Sequence, residues 1–514
     1  MTTGAKVRTV GDIMTREVLT IQPSATIAEA AVRMNERRVG SIMVVEGERP
    51  VGILTERDLL RFAAAGADAS ASQVGEWMTR DPNTTTPDEA VTDAFRNLVG
   101  QSYRHLPVVA DGKLVGVISV RDLIKIAQIL PVDAPAVEVP RGLAGVVVAE
   151  TTIGDVRGQE GFYHYRQYSA IELNEKRPLE DVWYLMFEGR LPTKAEREAF
   201  AEEVRPLRVI PDALRPILPV IARAGERFEP LDALRTAVSH LGSVQDFPPV
   251  LDVDARELRA QALQVCALVP TLLMALYRLH RGQEPIEPHP DLPYAANYLY
   301  MLTGEVPPEE HAWAIERYLI STIDHGFNAS TFTARVITST AADLAAAVVG
   351  AIGAMSGPLH GGAPSRALEM LDAIGTPDKA DAWIRNAVES GGRIMGFGHR
   401  VYKTDDPRSL LLRAVAERLG GPRVEFAKQV ERQVIDILAE LKPGRQLYTN
   451  VEYYAGIVME TVGLPPDIFT PTFTSSRTIG WCAHILEQAA DNRLIRPSAR
   501  YAGPPPPQPV PDAE

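Results

Sequence analysis

Cysteine is nearly absent from this 514-residue chain, which carries only Cys266 and Cys482, far apart in sequence and in no ligand-like spacing. That argues against a disulfide scaffold or a thiolate metal site and fits a reducing compartment. Long apolar runs are also missing. Residues 265–277 form a short run that contains Pro270 and Thr271, and residues 344–355 supply only twelve apolar and small positions. Both fall short of the roughly 20 residues needed to span a bilayer, so buried helices of a soluble, α-rich core are expected instead, with no membrane partner. The N-terminus has no apolar signal core and no evident transit character, and a cytoplasmic location is expected. Positive charge is in deficit: 53 Lys and Arg stand against 66 Asp and Glu, a net −13. That balance argues against nucleic acid as the partner but not against small anions, which respond to local arginines.

What is present begins with a repeat. The length alone calls for two or three folding units, and the first 130 residues contain the same pattern twice. Val10-Gly11-Asp12-Ile13-Met14-Thr15-Arg16 returns as Val74-Gly75-Glu76-Trp77-Met78-Thr79-Arg80, and Val51 to Leu59 return as Val115 to Leu123, at a constant offset of 64. A constant offset means equal element lengths, so the copies can stack as pseudo-twofold mates. Each copy reads as a helix with apolar residues at helical spacing (Ile27, Ala30, Ala31, Met34), two strands around a charged turn, and a second helix beginning near Asp58. The frame resembles the CBS domain pair, with repeats at 1–64 and 65–128. The resemblance implies that Thr55, Asp58, Ser119 and Asp122 bind an adenine nucleotide. A hydroxyl beside a helix N-terminus suits phosphate, and a carboxylate three residues on can accept from ribose hydroxyls. Taken singly, each pair can equally be a helix N-cap and nothing more.

Residues 129–141, with Pro131, Pro135 and Pro140, read as a linker. Residues 142–503 carry long helical segments, and the proline-rich 504–514 read as a disordered tail. Three of the 10 histidines lie in small-residue contexts, His325 in DHGFNAST, His360 in GPLHGGA and His399 in GFGHRVYKTDDPR. No His-x-x-x-His or carboxylate spacing supports a metal site, and none is expected. Glycines around His360 and His399 let backbone approach a ligand. His360 precedes an apparent helix, and a helix N-terminus favours a neutral imidazole able to donate a hydrogen bond.

These segments, with LYTNVEYYAG, SSRTIGW and RLIRP, resemble the citrate synthase family over about residues 142–502. The resemblance implies a mostly α-helical fold of a large domain and a small domain at about 361–457, joined here to an N-terminal α/β CBS pair. It implies an acyltransferase that condenses acetyl-CoA with oxaloacetate and hydrolyses citryl-CoA to citrate, with no cofactor beyond the CoA thioester. His360 would stabilise the thioester enol, Glu452 would be the base, and His399 would polarise the ketone. His325, Arg408 and Arg477 would hold the oxoacid carboxylates, because guanidinium forks match carboxylates. Arg496 would reach into a neighbouring subunit's site, implying a homodimer or higher oligomer. Gly396, Gly398 and Lys403 would lie on the CoA-binding loop. Glu452 departs from the family's aspartate by one methylene, which bears on rate and on the acyl-CoA preferred. Propionyl-CoA, giving a 2-methylcitrate synthase, is one alternative; a catalytically weak nucleotide sensor is another.

Overall fold

The computed structural model describes residues 9–510 apart from 38, 92–93, 95–104, 120–138, 144, 362–363, 393, 399–401, 403 and 443–447. Residues 1–146 with 498–514 form one compact unit and residues 147–497 another.

In the first unit the order is β1 (Thr20–Ile21), α1 (Ile27–Arg37), β2 (Ser41–Glu46), β3 (Arg49–Thr55), α2 (Glu56–Ala64), α3 (Val74–Trp77), β4 (Thr79–Arg80), β5 (His105–Ala110) and β6 (Lys113–Ser119). The expected helix α1 buries Ile27, Ala30 and Met34. The β2–β3 and β5–β6 hairpins are antiparallel mates, with matching register shifts at Val44/Val45 and Val108/Val109.

The two repeats also exchange their leading segments. Thr79 and Arg80 pair with Ile53 and Gly52 of the first hairpin. Thr15 pairs with Val117 of the second. Val74 and Met78 lie in the core of the first hairpin, and Val10 and Met14 in that of the second. The repeated glycine makes room for the repeated methionine: a Cβ at Gly52 would stand 2.3 Å from Met78 Sδ, and one at Gly116 2.6 Å from Met14 Sδ.

The second unit opens with a small antiparallel sheet, β7 (Gly154–Arg157), β8 (Phe162–Tyr165) and β9 (Tyr168–Ser169), and is otherwise helical. Its first helices are α4 (Ala170–Lys176), α5 (Leu179–Glu188), α6 (Lys194–Val204), α7 (Leu218–Ala222), α8 (Pro230–Val244), α9 (Ala255–His280) and α10 (Tyr294–Thr303). Next come α11 (Glu309–Thr322), α12 (Ala329–Ser339) and α13 (Leu344–Met355). After them follow α14 (Pro364–Ile374), α15 (Pro377–Glu389), α16 (Pro407–Leu419), α17 (Pro422–Leu441), α18 (Val451–Thr461) and α19 (Phe469–Ala490).

Helix α9 corrects one expectation from the sequence. The apolar run 265–277 belongs to a longer element that includes Pro270; the helix runs for 26 residues, long and apolar enough by composition to cross a membrane. Its most apolar stretch is 83% buried inside the fold, so it serves as a core helix packed on α19, α8 and α10. Proline removes one amide donor, and a helix held on several sides tolerates that loss. Cys266 on α9 and Cys482 on α19 are both buried free thiols, and burial with the neighbouring Cys482 pushes Cys266 well up.

Helix α19 buries polar residues by satisfying them locally. Thr472 donates to Ile468 O at 2.7 Å and Thr478 to Thr474 O at 2.8 Å, hydroxyls returned to the preceding turn. Their small side chains leave space for Arg477 and Trp481, both fully buried on the same helix. Helices α14 to α18 pack chiefly on one another, α18 lying against α14 and α16, while α16 also meets α11.

Candidate active site

His360 follows α13 in a turn closed by its own amide on Gly357 O at 2.9 Å. Its Nε2 meets the first turn of α12, receiving Ser330 N at 3.3 Å and lying 2.8 Å from Ser330 Oγ. Asn328 caps that helix, its Oδ1 accepting Thr331 N at 3.1 Å, with Ser330 Oγ 2.8 Å away. Trp481 Nε1 donates to the same Ser330 Oγ at 3.1 Å. A backbone N–H can only donate, so Nε2 is an acceptor and the ring proton of neutral His360 sits on Nδ1. Burial, then the charge of Arg477, lowers the imidazole to about 4, so it is neutral at physiological pH. The neutrality expected from the sequence is present, but its cause differs. Burial does most of the work, and the helix terminus that touches the ring belongs to α12, not to the helix that follows His360.

Glu452 is the second residue of α18. Asn450 caps the helix through Glu452 N at 3.0 Å, and its Nδ2 donates to Gly398 O at 3.0 Å. Burial raises the Glu452 carboxyl to about 7; Arg408 and Arg366 oppose the shift, and Asp406 adds to it. The loop before α16 is laced to the approach to α18: Asn450 N donates to Gly396 O at 2.9 Å and Gly398 N to Tyr448 O at 2.7 Å. Gly396 and Gly398 have φ of +81° and +84°, the left-handed region that favours glycine. Here they hold the loop against α18.

Two buried guanidiniums complete the site. Arg408, 3% exposed, is gripped by Asp406, with Nε 3.0 Å from Oδ1 and Nη2 2.8 Å from Oδ2. Asp406 also accepts Val451 N at 3.2 Å, tying this arginine to the helix that carries Glu452. Arg408 lies near the rings of Tyr163 and Tyr402, and His325 Nε2 is 3.0 Å from Tyr402 Oη. Arg477, 1% exposed, donates from Nε to Thr322 O at 2.8 Å. Burial lowers its proton affinity, Asp324 raises it and Arg408 lowers it further. Arg477, and Arg408 in the grip of Asp406, thus set two buried guanidiniums near the neutral imidazole, groups whose forks match carboxylates.

The loop bearing His325 is set from behind. Asp324 Oδ2 accepts Gly326 N at 3.2 Å, and its Oδ1 faces His484 Nε2 at 3.3 Å. Arg335 Nη1, purely a donor, reaches His484 Nδ1 at 3.1 Å and so leaves the His484 proton on the side of Asp324.

The structure thus brings His325, His360, Arg408, Arg477 and Glu452 into one electrostatic neighbourhood. Arg496 is exposed beyond the end of α19. His399, Lys403 and Asp122 lie outside the described residues. In the first unit Thr55 N and Oγ1 both donate to Asp58 Oδ2, at 2.9 and 2.7 Å, an N-cap arrangement for α2. Ser119 ends β6 as Thr55 ends β3. Sequence reasoning missed Ser330, Trp481, Tyr402 and Asp406 as working parts. Asn328 followed by Ser330 and Thr331 is a helix-start signature that offered a local signal.

Both units are similar to known proteins. The family model described as citrate synthase, C-terminal domain, matches residues 142–498, and the CBS domain model matches residues 10–65 and 74–128. Citrate synthase of Deinococcus radiodurans is 38% identical over 370 residues, covering 71% of this chain and 96% of that one. A 2-methylcitrate synthase of Mycobacterium tuberculosis is 39% identical over 383 residues, covering 74% and 95%. Among solved structures, citrate synthase from Thermoplasma acidophilum, in a ternary complex with carboxymethyl coenzyme A and oxaloacetate, aligns with a TM-score of 0.67. That match has 30% identity and covers 73% of this chain and 98% of that one.

Proposed function

The chain belongs to the citrate synthase family and is a transferase of that type, and on that premise we propose that it condenses acetyl-CoA with oxaloacetate and hydrolyses the product to citrate. The observation that carries this reading is a neutral His360, its proton placed on Nδ1 by Ser330 N, in a site that also holds Glu452. Glu452 removes a proton from the methyl group of the thioester while His360 Nδ1–H donates to the thioester oxygen, giving the enol. Arg408, Arg477 and His325 hold the oxoacid carboxylates. The enol carbon attacks the ketone, and His399, by family resemblance, protonates the new alkoxide. Water then adds to the thioester carbonyl and expels the CoA thiol, leaving citrate.

Propionyl-CoA is the second reading, favoured by the equal similarity to a 2-methylcitrate synthase. The two differ in one methyl group, a difference worth roughly 10- to 200-fold in discrimination. Arg496, which is exposed, would by family resemblance complete a neighbouring subunit's site, and the reading therefore includes a homodimer. The CBS pair takes an adenine nucleotide, with Thr55 and Ser119 at phosphate and Asp58 and Asp122 at ribose. It alters turnover only if the nucleotide binds two states of the protein unequally. The test is CoA release with oxaloacetate from acetyl-CoA and, separately, propionyl-CoA, each with and without AMP, ADP and ATP. Turnover that names one thioester supports the reading; none with either thioester, in folded protein, refutes it.

A further inference from the structure

Glu431 on α17 is a carboxylate only 4% exposed, and a charge so deeply placed needs partners. It has three. Thr449 Oγ1 donates to Oε1 at 2.7 Å, Tyr454 Oη donates to Oε2 at 2.5 Å, and Arg413 Nη1 lies 3.2 Å from Oε2. The two hydroxyls belong to residues on either side of Glu452, one just before α18 and one in its first turn. One carboxylate therefore ties down both flanks of the short span that carries the base. The contacts of Asn450 and Asp406 hold the backbone amides of that span from other directions.

We propose that Glu431, through Thr449 and Tyr454, is a positioning residue that sets the reach of Glu452. The inference rests on Glu452 being the base. A glutamate has one more rotatable bond than an aspartate, so a fixed helix start matters more for where its carboxylate arrives. A misplacement of about 1 Å can cost roughly 100-fold in rate. Glu431 acts through the two hydroxyls, which is why its loss is read in turnover and not in oxoacid binding.

The experiment uses the full chain and compares Thr449→Val, Thr449→Ser, Tyr454→Phe and Glu431→Gln, alone and combined with Glu452→Asp. Expected are kcat losses of roughly 10- to 100-fold for Thr449→Val, Tyr454→Phe and Glu431→Gln, with KM for oxaloacetate within about twofold. Thr449→Ser, which keeps the hydroxyl, restores kcat. In the Glu452→Asp background the losses shrink, because the arm they position has changed, and the combined loss falls below the product of the separate ones. Wild-type turnover beside unaffected variants overturns the positioning role alone, as do losses that multiply independently. A wild type without turnover overturns the proposed function and this inference with it. Thr449→Val and Tyr454→Phe keep the test decisive should Glu431→Gln fail to fold.

Discussion

Replacing Glu452 with glutamine isolates what it costs this fold to keep a buried carboxylate. The group ordinarily titrates at 4.5, and burial raises it to about 7 in the folded chain. A raised carboxyl favours the folded state fully below pH 4.5, and that favour is lost as pH rises towards 7. With about 1.4 kcal/mol for each unit, the folded state loses about 1 kcal/mol by pH 5 and about 3 kcal/mol by pH 8, levelling off above pH 7. Glutamine has the same length and no charge, so Glu452→Gln escapes this loss. Calorimetric melting of both proteins between pH 5 and pH 8 reads the effect in the transition of the helical unit. The variant should melt higher than wild type at pH 8, by several degrees, and the gap should narrow towards pH 5. A gap that does not change with pH, or a variant less stable at pH 8, would refute the argument that burial sets this carboxyl.

Other parts of the site give their own tests. Ser330→Ala removes the hydroxyl shared by His360 and Trp481 but keeps the backbone N–H that sets the tautomer; kcat should fall about 10-fold, with little change in KM, in steady-state assays. Arg477→Leu exchanges a buried cation for an apolar side chain, so the fold should hold while KM for oxaloacetate rises roughly 100-fold or more. Gly396→Ala meets both a φ of +81° and a contact of 2.8 Å with Tyr453 Cδ2; melting should show destabilisation of about 1–3 kcal/mol, with turnover reduced by displacement of the loop against Asn450.

Much of the architecture was open to reading from residues alone. The 64-residue offset foretold two matched hairpins, and they are matched down to the same irregularity in each. The exchange of leading segments was not foreseen, because periodicity reports which face a residue uses and not which copy it packs against. The repeated Gly52 and Gly116, with the repeated Met78 and Met14, held that information only once their distances were known. Helix α9 extends beyond the apolar run 265–277 because its first turns carry polar residues, which an apolar window leaves out. At the site, the motif histidines and arginines stood out, whereas Ser330, Trp481 and Glu431 did not. Ser330 and Trp481 are 151 residues apart, and no local spacing relates them. Thr55 and Asp58 form the N-cap that the sequence allowed, an arrangement that a bound nucleotide would have to share or displace.

The most direct measurement is the pH dependence of kcat/KM for the acyl-CoA at saturating oxaloacetate. With Glu452 as the base, its carboxyl at about 7 in the folded chain, the rate should fall tenfold per unit below about pH 7 and level off above it. His360, neutral above about 4, should add no break between pH 5 and pH 9. Glu452→Gln should abolish both the rate and its pH dependence. A profile flat to pH 5, or a limb that survives in Glu452→Gln, would contradict the assignment of Glu452 as the base opposite His360.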